Sequence, residues 1–258
     1  YLGYSEAQFS DYQKLIDRIY PEKKLVVGYS LGWDVLCTVM QFLPFTLGMV
    51  LIVTLGDLFS GEERTGMVPI LRSTKYGRAS LLKCKLGAAV TITTVLWILF
   101  QLVMLLTIAL TYTLRGATCT VLLFNGKPSI YGLNWLTYYL LQCAYSYLGT
   151  LVFTLFICCL SSILPLRLSM PLNMAVTLLT GIPMNHFCYA DQAFDLLDKC
   201  RAMMPSQLMA AHPTLQVYQS YAFGNVIIQL PYVTAAAILI ESGLLLWFLH
   251  CREGEKAT

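Results

Sequence analysis

Five long stretches of this 258-residue chain contain no Asp, Glu, Lys or Arg: residues 35–55, 86–114, 128–166, 168–190 and 202–240. A helix rises 1.5 Å per residue, so about 20 predominantly apolar residues cross the ~30 Å hydrocarbon core of a bilayer. Each gap is long enough to do so. The composition agrees, with 57% hydrophobic and 12% charged residues against roughly 25% charged in a soluble domain. A water-soluble enzyme and a disordered chain are both excluded as classes. The formal net charge of +3 is too mild for a nucleic-acid partner. The chain reads as all-α, a polytopic helical membrane protein.

Periodicity and punctuation divide it further. Residues 1–28 are expected to form an extracytoplasmic amphipathic helix and linker. Phe9, Tyr12, Ile16 and Ile19 recur at helical spacing, Ser5 with Gln8 can form a capping box, and Pro21 ends the helix. Residues 29–258 form the transmembrane domain, with five spans at about 33–55, 87–112, 134–163, 168–184 and 231–249. Tyr29 and Trp33 mark the interface of the first span, which Pro44 is expected to kink. Residues 185–229 carry Asp191, Asp195, Asp198, Lys199 and Arg201, then the polar residues Gln207, His212, Gln216, Gln219 and Asn225. That mixture suits short outer helices, interfacial or re-entrant, better than a sixth span. Gln207 and Gln219 are accordingly expected to be reachable from outside.

Orientation follows from the density of Lys and Arg in short loops. Residues 56–86 form the one densely charged loop, holding Asp57, Glu62, Glu63, Arg64, Arg72, Lys75, Arg78, Lys83 and Lys85. Placing it in the cytoplasm puts the N-terminal helix outside and the C-terminus inside, and implies an upstream span that brings residue 1 across.

That loop is also the most informative motif. It reads Phe59-Ser60-Gly61-Glu62-Glu63-Arg64-Thr65-Gly66-Met67-Val68-Pro69-Ile70-Leu71-Arg72-Ser73-Thr74-Lys75-Tyr76-Gly77-Arg78 and continues through Leu81, Leu82 and Lys85. Two carboxylates followed by a basic cluster on a short helix make a polar knob able to dock a soluble partner and transmit rigid-body motion. The bland alternative is an ordinary positive-inside loop with solvated charges. The ordered motif resembles the cytoplasmic loop of ABC-2 type transporter permeases, in which an acidic residue, a Gly/Thr pair, a Leu-rich turn, a Gly-Arg and a Lys precede the third family helix. The resemblance holds at motif level over residues 57–85 and in outline over the whole chain. The order here is Thr65-Gly66 rather than Gly-Thr, and the first family helix is missing, so the five spans correspond to family helices 2–6.

The resemblance implies a coupling loop that binds an ATP-binding subunit through Asp57, Glu62, Glu63, Arg64, Thr65, Met67, Leu71, Lys75 and Arg78. It implies a non-catalytic subunit with no cofactor of its own, ATP and Mg being held by two copies of the ATPase. It further implies a second permease chain, identical or homologous, in a bacterial cytoplasmic membrane. The cargo would be a peptide, a drug or a lipid-like molecule. Gly48, Ala144 and Gly149 are small enough to let helices of two permeases approach closely. No G-x-x-x-x-G-K-[ST] occurs in the chain, so any ATPase is another polypeptide.

Other candidates carry less. Glu241 lies inside the last span, where a carboxylate costs about 2.5 kcal/mol or more. It could couple a proton gradient in a secondary transporter, although a structural hydrogen bond to another helix is the simpler role. Gly28-Tyr29-Ser30-Leu31-Gly32 matches G-x-S-x-G, but a serine hydrolase needs a strand before the Ser and Asp and His partners after it. An intramembrane enzyme built on Ser30 or Asp34 is a third class. Cys188 and Cys200 could bridge if their side is oxidising. His186 and His212 lack a second ligand at helical spacing, so no metal is expected.

Overall fold

The computed structural model describes residues 29–61, 77–121, 123–124, 127–128, 132–181, 202–210, 220–223 and 226–255, with isolated positions 10, 13, 14 and 17 before them. The amphipathic helix expected within 1–28 thus lies outside the described residues apart from those four positions. The protein is mostly helical. In chain order the helices are α1 (Leu31–Val39), a 3-10 turn (Met40–Phe42), α2 (Leu43–Leu55), α3 (Gly77–Tyr112), α4 (Trp135–Ile163), α5 (Leu166–Gly181), α6 (Pro205–Ala210) and α7 (Leu230–Glu255). Two small antiparallel hairpins interrupt the all-α pattern: β1 (Leu123–Phe124) with β2 (Lys127–Pro128), and β3 (Ser220–Phe223) with β4 (Val226–Gln229).

Among the described residues four segments are long and apolar enough to cross a membrane: Leu31–Leu55, Leu81–Tyr112, Trp135–Ile163 and Leu230–Arg252. They cover four of the five expected spans. The segment expected at 168–184 corresponds to α5, whose 16 residues reach about 24 Å, short of the ~30 Å core. The second span begins earlier than its charge gap. Lys83 and Lys85 lie in the second and third turns of α3, Lys83 exposed and the Lys85 ammonium seated over the Phe59 ring.

Pro44 stands at a break in the helix. Its ring nitrogen cannot donate to the carbonyl one turn back, so the α-helix gives way to the tighter 3-10 turn at Met40–Phe42 and restarts with Pro44 in the first turn of α2.

Hydrogen bonds between helices set their directions. Gln142 donates from Nε2 to the Cys37 carbonyl at 3.1 Å, and Ser161 donates to the Gly56 carbonyl at 2.8 Å. Both partners lie 105 positions apart, so α1–α2 and α4 run parallel. Tyr145 to the Pro231 carbonyl and Cys159 to the Leu245 carbonyl both span 86 positions, so α7 is parallel to α4 as well. Thr93 with Thr154, Trp97 with Ser146 and Gln101 with Tyr139 run in opposing order, making α3 antiparallel to α4. Gly48 beside Thr177 and Gly56 beside Met170 make α5 antiparallel to α2.

Two ends result. Tyr29, Trp33, Tyr112 and Trp135 gather at an aromatic end, while Lys83, Lys85, Arg167 and Arg252 gather at a basic end. α4 is the central helix: its Phe153, Ile157 and Cys158 are buried against Leu47, Leu51, Ile52 and Leu55 of α2. A second core at the aromatic end joins Trp33, Leu36 and Met40 to Tyr138 and Tyr139. α3 and α7 lie at the periphery and expose apolar faces, with Leu110 at 77% and Leu239 at 72% accessible. Water would not tolerate so much contiguous apolar surface, whereas lipid does.

Candidate functional site at the basic end and inside the bundle

The residues flanking the charged loop are tied to one rigid platform. After α2 the backbone turns at Gly56, with Gly61 N–H donating to the Asp57 carbonyl at 2.9 Å. Ser161 at the end of α4 donates to the Gly56 carbonyl at 2.8 Å and accepts from the Phe59 N–H at 3.4 Å. A Cβ on Gly56 would lie 3.2 Å from Met170 of α5. Where the chain returns in α3, the Lys85 ammonium sits 4.6 Å above the centre of the Phe59 ring, a cation–π contact worth about 0.5–2 kcal/mol. Arg252 of α7 donates from Nε to the Ser162 carbonyl at 3.0 Å, where the end of α4 leaves carbonyls unpaired and favours positive charge.

Of the residues assigned to the loop by sequence, Asp57 is half-buried on this platform and accepts a hydrogen bond from Ser60 at 3.2 Å. Arg78 is the second residue of α3. Glu62, Glu63, Arg64, Thr65, Met67, Leu71 and Lys75 lie outside the described residues, as do Cys188, Cys200, His186 and His212. Among the described residues no cluster of His, Cys, Asp and Glu could hold a metal.

The second feature was not legible beforehand. α6 lies inside the bundle rather than at its outer edge, packed against α4, α2 and α5. Ser206, Gln207, Leu208, Met209 and Ala210 are all buried, and Met209 joins the main core beside Leu47 and Phe153. The expectation that Gln207 is reachable from outside is therefore corrected; Gln219 lies outside the described residues. Gly149, the central residue of α4, makes the arrangement possible, because a Cβ there would collide with the Leu208 backbone carbonyl. Two signals for this depth stand in the sequence: Pro205, suited to a helix start, and the apolar run Leu208-Met209-Ala210 behind it. Gly149 thus receives a segment of its own chain, and Gly48 packs on Thr177 and Phe153, so two of the three small residues expected at an intermolecular contact serve intramolecular ones.

Polar side chains inside the bundle form a seam between α3 and α4. Thr93 and Thr154 share a hydrogen bond at 2.8 Å, Thr94 and Tyr147 one at 2.9 Å, and Tyr139 donates to Gln101 at 3.4 Å. Thr150 and Thr154 also bond back to carbonyls of α4 at 2.7 and 2.9 Å. Hydroxyls in an apolar surrounding are thereby satisfied. Glu241 is half-buried, one turn from the Ile238 and Leu245 positions that pack toward α4. Its Oε2 atom is buried with no hydrogen-bond partner among the described residues. Ser30 is the N-cap residue of α1, and a Cβ on Gly32 would strike the Thr113 carbonyl. In the G-x-S-x-G match Ser30 thus starts α1 through its carbonyl, which accepts from the Trp33 and Asp34 N–H groups with no side-chain cap, and Gly32 serves close packing.

No protein-family model, curated protein or solved structure matches the chain.

Proposed function

We propose that this chain is the permease subunit of an ABC-2 type transporter, driven by ATP hydrolysis on a separate ATP-binding subunit that docks on residues 57–85. The observation that carries the reading is the anchorage of the charged loop. Its two flanks meet at the basic end through Ser161, Phe59 and Lys85, so a force applied to the loop would be delivered to α2, α3 and α4 together. A solvated loop on flexible tethers would transmit nothing. Under this reading the basic end is cytoplasmic and α6 is re-entrant from the outer side. The permease would sit in a bacterial cytoplasmic membrane beside a second permease chain, with two ATPases below.

Charge reversal of Glu62 and Glu63 is the direct test. Copurification with an ATPase subunit, together with loss of coupling between hydrolysis and transport in the E62K/E63K protein, supports the proposal. Unchanged coupling in that variant, or full transport by a preparation containing no ATPase, overturns it.

A second reading, proton-coupled secondary transport through Glu241, is favoured by one observation, its buried Oε2 atom without a partner among the described residues. Transport that follows an imposed proton gradient and is abolished by Glu241→Gln would select it.

A further inference from the structure

We propose that the groove between α3, α4 and α7 is a binding site for one anionic phospholipid, with an acyl chain lying between the helices and the headgroup at Lys83. The groove is a cavity of about 500 Å³ walled by Leu86 and Val90 of α3, Leu148 and Val152 of α4, and Leu239 and Leu246 of α7. Ala144 and Ala235 also line it, and their small side chains leave the space that larger ones would fill. The hydroxyls at its wall are already engaged, Ser242 with the Leu239 carbonyl at 3.0 Å and Tyr145 with the Pro231 carbonyl at 3.1 Å. A polar ligand would surrender its hydrogen bonds to water here, whereas a hydrocarbon chain surrenders none. On α4 the lining runs from Ala144 to Leu155, about 16 Å at 1.5 Å per residue, and Leu86 of α3 with Leu246 of α7 carry it from the mid-height of the bundle toward the basic end.

Charge selects the headgroup. Lys83 is exposed one turn before Leu86 and two before Val90, on the same side of α3. Among the described side chains the basic end holds Lys83, Lys85, Arg167 and Arg252 against the single acid Asp57; Glu253 and Glu255 continue α7 beyond them with side chains outside the described set. Lys85 is engaged with Phe59 and Arg252 with Ser162, and Arg167 stands on α5, which contributes no residue to the groove, so among the described side chains Lys83 is the cation on a groove helix left to face its mouth. The flanking faces, with Leu102, Leu110 and Leu244 all more than half exposed, put bilayer lipid directly beside the opening.

The test is native mass spectrometry of the detergent-solubilised full chain after titration with dioleoyl phosphatidylglycerol or dioleoyl phosphatidylcholine. One phosphatidylglycerol retained per chain is expected, with about fivefold preference over phosphatidylcholine, the increment of one lysine near an anionic surface. Lys83→Gln should bring that preference close to one, and Ala235→Trp should remove retention of both lipids. Leu244→Trp, on the exposed face of α7, should leave retention unchanged. If Ala235→Trp fails to insert, Leu239→Trp fills the groove from its exposed wall. Equal retention of the two lipids by the parent chain, or undiminished retention by the groove-filling variant, overturns the proposal. So does a lipid-free dimer that Ala235→Trp dissociates, which would give the groove to a second copy.

Discussion

Gly149 and Leu208 touch backbone to backbone: the central residue of α4 lies directly beneath the carbonyl of Leu208 in α6, with no room for a side chain between them. This contact brings a six-residue helix to the mid-height of the bundle, about 21 Å along α4 from Trp135. A helix that short has no stability of its own, so α6 exists because α4, α2 and α5 enclose it.

Replacing Gly149 by Leu should therefore expel α6 rather than merely strain it. Overpacking costs about 1–3 kcal/mol where atoms can shift, and a backbone carbonyl cannot. A cysteine at Gln207 is expected to resist an impermeant thiol reagent in the parent protein and to react in the Gly149→Leu background. Equal labelling in both would show that Gly149 does not hold α6 in place.

The Thr93–Thr154 bond should be worth little despite its 2.8 Å length. Interhelical hydrogen bonds in lipid average about 0.6 kcal/mol, because the separated helices find other partners. Thr154 already has an outlet of this kind, since it also bonds the Thr150 carbonyl. A double-mutant cycle with Thr93→Val and Thr154→Val, read by denaturant unfolding in mixed micelles, should return a coupling below about 1.7 kcal/mol.

Ser161→Ala should do more than its size suggests. It removes the donor to the Gly56 carbonyl and the acceptor of the Phe59 N–H together. A loss of about 1–3 kcal/mol is expected from the Phe59 N–H that loses its acceptor, while the Gly56 carbonyl keeps the Ser60 hydroxyl at 3.4 Å. If the loop couples to an ATPase, the variant should also hydrolyse ATP with less transport per turnover. Measuring hydrolysis and transport on one preparation separates that effect from simple destabilisation.

Glu241→Gln should stabilise the protein or leave it unchanged, since a carboxylate in a span costs about 2.5–3.5 kcal/mol and its buried Oε2 has no partner among the described residues to lose. Under the permease proposal ATP-driven transport persists in this variant. Loss of transport with unchanged melting temperature would instead favour proton coupling.

The membrane class of the protein was legible in the sequence because lipid imposes a rule that acts on every residue of a span. Charges must leave the hydrocarbon core, and the charge gaps therefore outline the four long helices. Pro44 was legible for a similar reason, since its missing N–H acts locally whatever surrounds it. The residues of the charged loop could be named, but the platform under it could not. Ser161, which joins Gly56 to Phe59, lies more than a hundred positions away and looks like any small residue in an apolar run. The depth of α6 was hidden by its composition: Gln207 read as interfacial, and only the packing of three helices around it makes burial possible. Glycine carries no signature of what it will touch. Gly149 and Gly32 were equally available to a partner chain, a ligand or this chain's own backbone, and the choice was made by which carbonyl the tertiary fold brought within van der Waals distance. Per-residue solvation is encoded position by position, whereas contacts between distant segments exist only once the helices have packed.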